Sequence, residues 1–111
     1  MQVEVVGESY YAAALRGLVD QGVRTRWASL IPDPRNPYDP NAVGVWIDGV
    51  QVGHLGRDVA IVFRPVALRI IELGCEARCA AVIGGGRGVF GVMLDLGTPD
   101  QCLDCLKGAA S

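Results

Sequence analysis

The chain has 111 residues, of which 50% are hydrophobic and 20% charged, and a formal net charge of -2. That length holds one compact core and no second, and that composition excludes an intrinsically disordered chain. The slight acidity excludes a global attraction to phosphate backbones or anionic lipid, so any nucleic-acid contact has to be local.

The first run, QVEVVGE from Gln2, alternates Val3 and Val5 with Gln2 and Glu4 until Gly7 breaks it, which predicts a half-buried strand. Ser9 is a helix N-cap by residue type. The following YYAAALRGLVDQG predicts a short helix ending near Gly22, with Ala14, Leu15, Leu18 and Val19 on its apolar face. On such a helix Tyr11 points about 100° away from Tyr10 and is expected on the helix face or in the core. A second strand, VRTRWASLI, runs from Val23 and ends at Pro32.

Four prolines in the nine residues PDPRNPYDP, from Pro32 to Pro40, prevent continuous donation into a ladder and predict an ordered loop. Val43, Val45 and Ile47 then share one face of a strand. Asp48-Gly49 is a two-residue hairpin signal, because both turn residues need positive φ, and VQVGHL is the returning strand. Asp58 is placed to cap the next helix, Pro65 to split or kink it, and Gly74 to close it.

Two more strands, CEARCAAVI and VFGVMLDL, flank GGGRG, which lacks the lysine and following helix of a phosphate-binding loop and reads as a hairpin turn. Finally TPDQCLDCLKG carries a capping box, with Thr98 at N-cap, Pro99 at N1 and Gln101 at N3, and predicts a helix over 98–108 as an appendage. The order β-α-β-β-β-α-β-β-α, without linker, repeat or low-complexity tract, predicts a single domain over residues 1–111. It is mostly β with α, a small six-stranded OB-like or SH3-like antiparallel barrel with two to three short helices. Trp27 and Trp46 are expected in the core or at the barrel rim.

The start, Met1-Gln2-Val3-Glu4, lacks a basic region followed by an apolar run, so a cytoplasmic protein is expected. The richest apolar window, Val59 to Leu73, is interrupted by Arg64, Pro65 and Arg69, and no membrane span is expected. Nine of the ten basic residues are arginine. Arginine is the better bidentate partner for phosphate, although high-GC codon usage produces the same bias.

Cys75, Cys79, Cys102 and Cys105 form a C-x3-C and a C-x2-C pair, a count that suits tetrahedral zinc. If CEARCAAVI is a strand, Cys75 and Cys79 share a face but stand about 13 Å apart at about 3.3 Å per residue, too far for one metal. CLDC also has no glycine or basic residue between its cysteines. No metal and no other cofactor is expected, and the cysteines read as free thiols, disulfides being disfavoured in a reducing compartment. No nucleophile and base pair, nuclease carboxylate cluster or helicase motor is present, so no catalysis is expected.

Three motifs, VVGESYYAAAL from Val5, NPYDPNAVGVW from Asn36 and VGHLGRDVA from Val52, resemble the HIRAN domain family. That family stands at the N-terminus of certain SNF2-type DNA helicases of replication-fork repair and occurs alone in bacteria. The motifs come in the family's order across the first two thirds of the chain, and the last third is similar only as a helix followed by two strands. The resemblance implies an OB-like barrel that binds single-stranded DNA and recognises a 3′ end, in DNA repair or stalled-fork processing, with a helicase or nuclease as the partner protein.

Carried onto this sequence, the resemblance implies that Tyr10 and Tyr38 stack on bases and that Asp39 accepts the terminal 3′-hydroxyl. His54 and Arg57 would serve the phosphates, with Phe90 as a further aromatic wall. The sequence departs from DNA-binding members at Ser9, preceded by Glu8, where a basic residue would help a phosphate.

The stiffness of NPYDPNA has a physical use, since a loop fixed beforehand loses less entropy when it presents a ring and a carboxylate. Pro37 and Pro40 clamp Tyr38 and Asp39, while Asn36 and Asn41 can tie the loop to itself by side-chain to backbone hydrogen bonds. Asp39 can equally cap the turn, and His54 can be a satisfied surface residue. Two alternatives stand beside the DNA reading: a protein-interaction module on the same barrel without nucleic-acid binding, and a small zinc-binding domain.

Overall fold

The computed structural model describes residues 2–7, 11–22, 25–37, 39–86 and 89–96. The order of elements is β1 (Gln2–Glu4), α1 (Ala12–Asp20), β2 (Thr25–Pro32), β3 (Val43–Ile47), β4 (Val50–His54), α2 (Arg57–Glu72), β5 (Arg78–Gly86) and β6 (Val89–Asp95). All strand pairs are antiparallel, in one sheet of order β1-β6-β5-β2-β3-β4. The sheet curls until its two edge strands meet in a bridge between Val6 and His54. Among the described residues the result is a half-barrel with two helices, consistent with an OB-like architecture. Nothing in this strand order favours the SH3-like alternative.

Alternation builds the core. Ala28 and Leu30 of β2, Val43, Val45 and Ile47 of β3, Cys79, Ala81 and Ile83 of β5, and Val92 and Leu94 of β6 all point inward and are buried. Leu15 and Leu18 of α1 and Ala60, Phe63, Ala67 and Ile70 of α2 add the helical contribution. The α2 set recurs at three- and four-residue steps, which keeps it on one stripe of the helix. α1 packs on β4 and β6, and α2 on β2.

Several local expectations hold. Asp48 and Gly49 take φ of 51° and 79°, as a two-residue hairpin with right-handed strand twist requires. Gly74, at φ 79°, follows α2, and its amide reaches the Ile71 carbonyl at 2.9 Å, closing the helix end.

Others need correction. α1 begins at Ala12 with Tyr11 at the N-cap position and no side-chain cap, later than a Ser9 cap requires; Ser9 itself lies outside the described residues. α2 has Gly56, not Asp58, at its N-cap, and Asp58 sits in the first turn, where a carboxylate still suits the helix dipole. Pro65 neither splits nor ends α2, which runs 16 residues and is not short. Proline removes one amide, the partner of the Ile61 carbonyl, and both Ile61 and Pro65 are on the exposed side while Phe63, Ala67 and Ile70 hold the buried one.

β5 begins at Arg78, so Cys75 precedes the strand and the separation inferred for a shared strand face does not apply to Cys75 and Cys79. Gly84, Gly85 and Gly86 belong to the β5–β6 ladder, paired with Gly91, Phe90 and Val89, and are not a turn. A ladder asks only for extended backbone, which glycine adopts when its partner strand supplies the bonds.

Trp27 is no core residue: it is 62% exposed on the outer face, with the Arg78 guanidinium carbon 5.7 Å from its ring centroid. The alternation that sends Ala28 inward sends Trp27 out. The expected C-terminal helix over 98–108, with Cys102 and Cys105, lies outside the described residues. Among the described residues no helix is long and apolar enough to cross a membrane.

Candidate nucleic-acid interface

The loop after β2 is fastened from its base to its tip. The Asp33 amide donates to the Ala42 carbonyl at 2.8 Å, and the Asn36 amide to the Asp33 carbonyl at 3.2 Å. Nearer the tip, the Asp39 amide donates to Asn36 Oδ1 at 3.1 Å, the Asn41 amide to Asp39 Oδ1 at 2.9 Å, and the Ala42 amide to the Asp39 carbonyl at 3.1 Å. Asn36 thus ties the loop with its side chain. At Asn41 the direction is reversed, because the carboxylate of Asp39 does the tying and Asn41 supplies its backbone amide.

Asp39 is therefore a turn residue whatever else it does. The turn takes one hydrogen bond at Oδ1, and a carboxylate has about four acceptor sites, so the bond that fixes the group still leaves it able to receive a donor. Its neighbour Tyr38 lies outside the described residues, as does Tyr10.

This loop enters β3 at Val43, whose carbonyl accepts the Leu55 amide at 3.0 Å. The end of β4 and the start of α2 therefore lie one ladder step from the loop. His54, on β4, exchanges backbone hydrogen bonds with Val6, and its ring centroid is 5.9 Å from that of Tyr11, tilted by 53°. Gly56, extended at φ -58° and ψ 152°, turns the chain into α2, so that Arg57 is the helix's first residue and is exposed. A helix N-terminus carries partial positive charge, and the arginine adds a full one at the same place. Asp58 in the first turn partly offsets both.

Phe90 enters by its backbone alone. It lies in β6 opposite Gly85, two residues before Val92, whose carbonyl takes the Val5 amide at 3.0 Å. Val5 leads directly to the Val6–His54 bridge. Backbone bonds thus link the exit of the proline-rich loop at Val43 to Leu55, between His54 and Arg57, and link His54 through Val6 and Val5 to Val92 of β6, two residues from Phe90.

Two neighbours of His54 escape sequence reasoning. Tyr11, expected on the helix face or in the core, is half-buried with its ring toward the histidine. Gln51 brings its amide nitrogen to 3.3 Å from His54 Nε2. The signal for Gln51 was the isolated Gly53 in the strand, which marks a bulge or a close backbone approach. Here it marks both: the β3–β4 register shifts between Val45 and Trp46, and a Cβ on Gly53 would stand 2.3 Å from Val5 Cγ1 and 2.6 Å from the Val6 carbonyl oxygen.

Cys75 is half-buried and Cys79 buried, and among the described residues no group of three or more histidine, cysteine or acidic side chains is arranged to hold a metal.

The family model of the HIRAN domain matches residues 1–83, three quarters of the chain. The chain belongs to the HIRAN domain family. The match takes in every element from β1 into β5 and so includes Tyr10, Tyr38, Asp39, His54 and Arg57, while Phe90 lies beyond it.

Among solved structures, this HIRAN domain is similar to the crystal structure of the HIRAN domain of human HLTF, at 24% identity and a TM-score of 0.53, over 97% of this chain and 86% of that one. An NMR structure of the HLTF HIRAN domain is 26% identical over 97% and 87% of the two chains, with a TM-score of 0.48. Another, of that domain in its DNA-bound conformation, is 24% identical over 96% and 81%, with a TM-score of 0.46. The crystal structure establishes the shared fold. No curated protein matches the chain.

Proposed function

We propose that this HIRAN domain is a binding module for single-stranded DNA that receives the 3′-hydroxyl end at the Asp39 loop and serves DNA repair or stalled-fork processing beside a helicase or nuclease. The observation that carries the reading is the fastened loop: within the family-matched residues, Asp39 is held by bonds at its own amide, carboxylate and carbonyl, in a loop whose exit at Val43 bonds to Leu55, between His54 and Arg57. The HLTF HIRAN domain, a member of the same family, has a DNA-bound conformation, and a DNA ligand for that relative supports the same reading here.

Each role follows from chemistry. A 3′-hydroxyl is a donor, and a fixed carboxylate is an acceptor without a proton to compete. Bases need aromatic faces, for which Tyr10 and Tyr38 are the candidates, with Phe90 as a further wall; each stacked base contributes about 1–3 kcal/mol. Arg57, at the α2 N-terminus, suits a phosphate by charge and by the surrounding amide dipoles. His54 suits a phosphate as a hydrogen-bond donor. An overall charge of -2 makes this local arrangement the source of affinity, not the field of the whole molecule.

The test is fluorescence anisotropy with a labelled single strand at low and moderate salt. Binding that weakens with salt, and that falls by about 1–3 kcal/mol in Tyr10→Ala or Tyr38→Ala without loss of fold, is the expected result. Absence of binding to any strand would overturn the reading in favour of a protein-interaction module.

A further inference from the structure

Gln51 Nε2 stands 3.4 Å from the Gly53 carbonyl oxygen and 3.3 Å from His54 Nε2. A backbone carbonyl only accepts, so the Gln51 side chain must turn its NH2 group, and not its oxygen, toward Gly53. That same nitrogen faces the imidazole. An NH2 group only donates, so a neutral imidazole bonded to it accepts at Nε2 and carries its proton on Nδ1.

We propose that Gln51 is a positioning residue that holds the neutral imidazole of His54 as its Nδ1–H tautomer, so that His54 meets a DNA phosphate through a directed hydrogen bond. This rests on the DNA reading for its purpose, while the tautomer itself is a property of the free protein.

The fold gives Gln51 this post. In a regular strand, residues three apart face opposite sides, which would separate Gln51 from His54. The register shift between Val45 and Trp46 inserts an extra residue in β4, and both side chains come to one face. Gly44, paired with His54, makes room for the amide: a Cβ there would stand 3.1 Å from Gln51 Nε2 and 3.1 Å from Trp46 Nε1. The Tyr11 ring is a further neighbour of the imidazole, 5.9 Å away between centroids.

The experiment is a long-range proton–nitrogen correlation spectrum of the 15N-labelled, tag-free chain near neutral pH. His54 is the one histidine in the sequence, so its two ring nitrogens are read without assignment. The wild type is expected to show a protonated Nδ1 and an unprotonated Nε2. Gln51→Glu, whose carboxylate can only accept, is expected to move the proton to Nε2, and Gln51→Ala to give the mixture of a free imidazole. In parallel, Gln51→Ala should weaken single-strand binding about threefold to tenfold with an unchanged salt slope.

A protonated Nε2 in the wild type, or a spectrum indifferent to both substitutions, overturns the tautomer assignment. A wild type that carries Nδ1–H and binds no DNA overturns the DNA reading and leaves the assignment standing. If DNA binds and Gln51→Ala moves the proton without changing affinity, the positioning role is refuted.

Discussion

The amide of Val6 donates to the His54 carbonyl at 2.9 Å, and the amide of His54 returns a bond to the Val6 carbonyl at 3.0 Å. This reciprocal pair, formed where the two edge strands β1 and β4 meet, closes the curled sheet through the backbone of a residue whose ring belongs to the candidate interface. Closure and placement of the imidazole are one constraint. A change that loosens the seam should therefore disturb both stability and ligand contact.

Gly53 is where that constraint is tightest. In Gly53→Ala the new methyl would meet Val5 Cγ1 at 2.3 Å and the Val6 carbonyl oxygen at 2.6 Å, and the second of these is backbone that can move only by opening the seam. A loss of about 2–4 kcal/mol in urea unfolding is expected, with faster hydrogen exchange at the Val6 and His54 amides. A variant within about 0.5 kcal/mol of wild type would show that the bridge does not hold the barrel.

Two substitutions separate the structural and ligand roles of Asp39. Asp39→Asn keeps an oxygen to accept the Asn41 amide and removes the charge, so the fold should stand. Asp39→Ala deletes the 2.9 Å bond as well, at a cost of about 0.5–1.5 kcal/mol of stability. Both should weaken capture of a 3′-hydroxyl strand. Denaturation midpoints and binding measured on the two variants together decide the matter, and unchanged binding in both would reduce Asp39 to a turn residue.

Arg57→Gln should weaken single strands of every end chemistry alike. It should also lower the slope of log affinity against log salt by about 0.7, the share of one phosphate contact on a single strand. A loss confined to one end chemistry would assign Arg57 to the end and not to the track.

Pro65→Ala restores an amide that can reach the Ile61 carbonyl within a continuous helix. Alanine is favoured over proline by about 3 kcal/mol in a regular helix interior, partly offset by the greater freedom of the unfolded chain. A net gain of about 1 kcal/mol is expected in thermal or urea unfolding. Destabilisation would mean that the proline ring makes contacts the helix needs.

What the sequence makes legible is what neighbours in the chain decide. Asp48-Gly49, Gly74 and the proline-rich loop each act over a few residues, and the structure places them as read. Even there, the pattern pointed to side-chain ties by Asn36 and Asn41 and allowed a turn cap by Asp39, and at Asn41 it is the carboxylate of Asp39 that ties the backbone amide. The seam was not legible, because Val6 and His54 meet only through the curl of the whole sheet. The Gln51–His54 contact was hidden behind a register shift that inverts the usual alternation. Pro65 and Gly84–Gly86 misled for the opposite reason: local breaking tendencies there are overruled by the buried face of α2 and by the pairing of β5 with β6.

End recognition is read from the affinities of the wild-type chain for equal-length single strands ending in a 3′-hydroxyl, a 3′-phosphate, or a 5′-phosphate with a 3′-hydroxyl. A 3′-phosphate removes the donor that Asp39 would accept and brings a charge of about -1.5 to -2 against the carboxylate. This strand is expected to bind well below the two with a free 3′-hydroxyl, which should match one another, and Asp39→Asn is expected to narrow the gap. Equal affinity for all three strands in the wild type would contradict end recognition.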